Sequence, residues 1–126
     1  MIYSQIFDMV NLGIAILDKD LKVYKWNRWL ELHSKILADQ IIDTPLLDHF
    51  PNLNEKWFLR NCKAVLHFGN FAFFSQKLHQ YTLPMKPVHH LDPAFDYMQQ
   101  NCTLGPLRNE NNEVEYIYMV IQDATE

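Results

Sequence analysis

The sequence predicts an α+β domain, and three observations carry the prediction. Apolar residues change period along the chain, from helical spacing over residues 1–10 to strand-like runs, back to helical spacing, and finally to strands again. Polar turn formers separate the runs: Asp18-Lys19-Asp20, Gly69-Asn70 and the stretch RNENNE at 108–113. The chain has 126 residues, 48% of them apolar and 21% charged, which suits one soluble folding unit with a single modest core.

Ile2, Ile6, Met9 and Val10 recur at helical spacing, so residues 1–10 read as a short amphipathic helix whose apolar side needs a cover. Leu12 to Leu17 and Leu21 to Trp26, joined by the polar turn at 18–20, read as a β-hairpin. Asn27 can cap a following helix that puts Leu30, His33 and Leu37 on one face and ends near Ala38. Two short helical pieces are predicted next, Asp39 to Asp43 and Pro45 to Phe50, with Pro51 as a stop. Asn54 is the predicted cap of the longest helix, Glu55 to Phe68, which Gly69 terminates in a left-handed conformation. The remainder reads as β-rich: FAFFSQKLHQY, a Pro- and His-containing loop over Thr82–Pro93, a strand from Phe95 to about Leu107, and a last strand after RNENNE.

Several functions lack their signatures. A net charge of −4 without a basic cluster gives no nucleic-acid surface. The three glycines, Gly13, Gly69 and Gly105, lie too far apart for a phosphate-cradling loop. Ser4, Ser34 and Ser75 sit in no nucleophile-elbow pattern. His89-His90 have no cysteine or carboxylate at zinc-site spacing, and read as a solvated loop pair. His67, near the end of the longest helix, is the one candidate axial haem ligand, and an isolated helix-end histidine is the simpler reading. No stretch approaches the ~20 apolar residues of a membrane span, and the start at Met1-Ile2-Tyr3-Ser4 lacks the basic residues of a secretory signal. A cytoplasmic chain with free Cys62 and Cys102 is therefore expected.

The element order, together with GIAILDKDLKVYKWN, DTPLLDHFP and VIQDATE, resembles the PAS (Per-Arnt-Sim) sensory domain family over nearly the whole chain. Asp18 matches the acidic residue that closes the family's first strand, Asn27 the asparagine that opens the next helix, and Asp123-Ala124-Thr125 the Asp-x-Thr that closes the last strand. The resemblance implies a five-stranded antiparallel sheet with helices on one face and an N-terminal capping helix, as a single PAS-like domain over 1–126 with its core at 12–126. The segment RNCKAVLHFG is similar to the flavin-bonding motif of the family's light-sensing branch, but Cys62 is followed within seven residues by the turn at Gly69, where that branch has more chain. Neither flavin nor haem is expected.

The function implied is a sensory, dimerising module of a bacterial signalling protein, with an output domain outside this chain: a diguanylate cyclase (GGDEF) first, a histidine kinase second. An unidentified small ligand would sit in an apolar cavity lined by residues drawn from Phe58, Cys62, Leu66, Phe73, Met98 and Met119, oriented by Gln100. Phe58, Cys62 and Leu66 share a helix face by their spacing of four, whereas FAFF is apolar at both parities and leaves its register open. Asp123 and Thr125 would relay the signal, and Ile2, Ile6, Met9 and Val10 would pair two copies. Two rivals remain: a ligand-free structural dimerisation module, and a small isomerase- or dehydratase-like enzyme with a buried Asp or His facing tyrosines across a cavity.

Overall fold

A computed structural model describes residues 2–75, 82–85 and 98–124. Helix α1 spans Ile2–Met9, strands β1 and β2 span Gly13–Leu17 and Val23–Trp26, and helices α2, α3 and α4 span Arg28–Ser34, Ala38–Ile41 and Leu46–His49. A 3-10 turn at Pro51–Leu53 leads to helix α5, Lys56–Phe68, and the chain ends in β3 (Ala72–Phe74), β4 (Gln100–Arg108) and β5 (Val114–Asp123). The five strands make one antiparallel sheet in the order β2-β1-β5-β4-β3. Its inner face supplies Ala15, Leu17, Val23, Cys102, Leu104, Ile117, Met119 and Ile121 to the core, and α5 packs across β4 and β5. Period-2 alternation explains β5: Ile117, Met119 and Ile121 are buried, while Tyr116, Tyr118 and Val120 face the other way and stay half-buried.

Two hairpin turns are built alike. In the first, the Asp18 carboxylate accepts from the amides of Asp20 and Lys22, and Leu21 takes φ 62°. In the second, Asn109 Oδ1 accepts from Asn111 and Glu113, and Asn112 takes φ 62°. An Asx side chain holds each turn from its first residue, so the left-handed position is occupied without glycine.

Boundaries shift where local chemistry was misjudged. The helix after Asn27 ends at Ser34, not near Ala38, because Lys35 turns left-handed (φ 66°) and closes it. Asn54 does not cap α5; Glu55 is the residue before its first turn, with no side-chain hydrogen bond there. Pro45 precedes α4 rather than lying within it, and Pro51 opens the 3-10 turn. Gly69 does end α5 at φ 67°, its amide donating to Ala64 and Val65 carbonyls. The strand expected from Phe95 is described from Gln100; residues 95–97, His89-His90 and most of the loop expected over 82–93 lie outside the described residues.

Candidate functional site

The helix α5 presents Phe58, Cys62 and Val65 to the sheet, a spacing of four then three that keeps them on one stripe. Leu66, expected on that stripe, is only partly buried at its flank. Phe58, Met98 and Met119 are fully buried and Cys62 nearly so. Phe73 is a correction: it is 62% exposed, and Phe74 is the buried member of the pair. The reason is aromatic packing at the start of α5, where Phe74 meets Trp57 edge-on at 4.9 Å and lies 6.4 Å from Phe58.

Gln100 is buried, yet it holds the chain rather than an open polar position. Its Oε1 accepts from the amides of Thr82 and Leu83 at 3.1 and 3.0 Å, and its Nε2 donates to the Leu83 carbonyl at 2.7 Å. The side chain thus replaces a strand partner for residues 82–83, and Asn52 Nδ2 donates to the Thr82 carbonyl at 2.9 Å on the other side. Met85 is docked by the amide of Met98, which donates to its carbonyl at 2.6 Å.

Cys62 and Cys102 are free and buried. Burial pushes both thiols from 9.0 up to about 12, with a hydrogen bond to Thr82 acting the other way on Cys102. Neither is a reactive thiolate at neutral pH. His67 is exposed, beside a surface depression shared with Lys19, Leu66, Glu113 and Val114, and does not point into the core. No group of three or more metal-ligating side chains occurs among the described residues.

The site that sequence reasoning only half recovered is Asn27, which is fully buried. As predicted, its Oδ1 caps α2 by accepting from Leu30 N at 3.2 Å. The same oxygen accepts from Ile14 N at 3.1 Å, and Nδ2 donates to the Phe7 and Leu12 carbonyls, both at 2.9 Å. One carboxamide therefore joins α1, β1 and α2. Asp123 ends β5 opposite Gln100, and the amide of Ala124 donates to the Gln99 carbonyl at 2.7 Å; Thr125 lies outside the described residues. In α1 no residue is fully buried, and Ile2, Ile6 and Met9 are 71, 53 and 81% exposed, with Val10 half-buried just beyond the helix.

A five-stranded sheet in this order, crossed by one long helix and preceded by several short ones, is the fold of PAS domains. Solved structures superpose accordingly. A sensory box sensor histidine kinase from Vibrio cholerae matches with a TM-score of 0.68 and 21% identity, over 99% of this chain and 90% of that one. The PAS domain of a protein from Colwellia psychrerythraea matches with a TM-score of 0.66 and 19% identity, over 98% and 94%. The PAS domain of BvgS from Bordetella pertussis matches with a TM-score of 0.71 and 13% identity, over 99% and 85%. No protein-family model and no curated protein matches the sequence.

Proposed function

We propose that this domain is a non-catalytic sensory module that takes a small ligand with an apolar body against the α5 stripe and relays occupancy through β5. The observation that supports it is the PAS fold itself, with flexible Met98 and Met119 buried in the same core as Phe58 and Cys62. Methionine side chains repack at low cost, which suits a core that accommodates a guest. A ligand that favours one arrangement of helix and sheet shifts the population toward it, and β5 carries that bias to its end at Asp123. Pairing of two copies through Ile2, Ile6 and Met9 belongs to the same proposal, since these apolar side chains are exposed.

A thermal-shift screen of small metabolites tests the ligand reading. At least one compound should raise the melting temperature of the parent and not that of Cys62→Trp, whose indole would occupy the stripe. A folded parent that no compound stabilises favours the rival, a structural dimerisation module.

For the output domain we propose a diguanylate cyclase first, on the resemblance alone. A histidine kinase is the second reading, because the similar structures include PAS domains of sensor kinases. Incubating the full-length protein with GTP and with ATP separates them: cyclic dinucleotide formation supports the first, and histidine autophosphorylation overturns it.

A further inference from the structure

We propose that α1 is a latched element, and that the Asn27 carboxamide is the positioning group that holds it to the core. Hydrophobic burial does not fasten this helix. None of its residues is fully buried, its docking is against α2, and only Phe7 is half-buried. Beneath it lies an open groove of about 470 Å³, walled by Tyr3, Phe7 and Asp8 of the helix and by Ile16, Trp26 and Ile42 from the rest of the domain. A helix of eight residues does not persist alone in water, so its place depends on whatever ties it down.

Asn27 supplies that tie from the rigid side. Its own position is fixed by the core: its amide donates to the Ile14 carbonyl, its carbonyl accepts from Glu31 N, and its Oδ1 accepts from Ile14 N and Leu30 N. Both donors of Nδ2 then point at the lightly packed segment, to Phe7 O in the last turn of α1 and to Leu12 O in the connection after it. The two halves of one carboxamide thus divide their work: the oxygen organises β1 and α2, and the nitrogen grips the segment from Phe7 to Leu12. Any partner or ligand that binds α1 better when it is displaced opposes these two bonds and the light packing of α1 on α2, leaving the sheet intact.

Asn27→Asp separates the halves, because a carboxylate still accepts from Ile14 and Leu30 but presents oxygen to the two carbonyls. Hydrogen exchange followed by mass spectrometry on the full chain reads the outcome. In Asn27→Asp the amides of residues 6–10 should exchange about tenfold faster or more, while those of α5 and β5 change by less than about threefold. Equal acceleration in all three regions, or a variant that does not fold, shows that Asn27 belongs to one cooperative unit and overturns the latch; unchanged exchange in 6–10 overturns it as well. The parent gives a second, independent reading. Under increasing low concentrations of urea, amides 6–10 should open by a route nearly insensitive to denaturant and separate from the global one, and their merging with the β5 amides would count against a latched element.

Discussion

Gly13 lies where β1 passes beneath α2, and a methyl group built there would sit 2.7 Å from both Trp29 and Leu30. Both side chains are buried, so neither can retreat cheaply. Gly13→Ala should therefore destabilise the domain by about 1–3 kcal/mol. Gly105→Ala should cost less, since its methyl meets only the far end of the half-buried Tyr118 side chain. Urea unfolding of the two variants checks the order, and equal midpoints would contradict it.

The thiols give a pH dependence with a definite sign. Unfolded Cys62 and Cys102 ionise from 9.0, whereas the folded ones hold their protons to about 12. Between those values the folded state binds more protons, so this contribution is whole below pH 9 and is lost as pH rises toward 12. Each thiol can lower stability by up to about 1.4 kcal/mol per pH unit in that window. Urea unfolding between pH 8 and 10.5 should show a steeper decline for the parent than for a variant with both cysteines changed to alanine. Parallel declines would contradict the burial argument.

The two hairpin turns make matched predictions. Asp18→Ala and Asn109→Ala each remove an oxygen that accepts two backbone amides, and each should cost about 1 kcal/mol. Asp18→Asn and Asn109→Asp keep that oxygen and should fall within about 0.5 kcal/mol of the parent; a full loss in either conservative variant would sink the explanation. The exposed stripe of α1 predicts the assembly. Ile6→Glu with Met9→Glu leaves the Asn27 tie untouched and should convert a dimer to a monomer in light scattering, whereas an unchanged dimer mass removes this helix from the interface.

How far elements were legible followed from how local their causes are. Gly69 and Asn27 announced their helix ends because a left-handed cap and an Asx cap depend on a few neighbouring backbone groups. The choice between Phe73 and Phe74 was not legible, because both are apolar and the decision rests on Trp57 and Phe58, far away in sequence. Gln100 likewise looked like a free polar group in a cavity wall. Its partners at residues 82–83 come from a connection whose path no periodicity encodes. The grip of Asn27 on Phe7 and Leu12 also required the fold, because its burial and its two carbonyl partners come from chain 15 and 20 residues away.

For the molecule as a whole, the order of helical and strand-like periods was enough to predict an α+β domain, and the observed sheet order is that of PAS domains. What the periods did not distinguish is a core that is filled from one that admits a guest, because Phe58, Cys62, Met98 and Met119 satisfy either by burial alone. Native mass spectrometry of the purified domain separates a filled core from one that holds a guest. A guest-holding core should show, for each 15.0 kDa chain, an added small-molecule mass that is released on denaturation and is missing from folded Cys62→Trp. A bare chain mass for the parent, with Cys62→Trp destabilised by overpacking instead of tolerated, would contradict it.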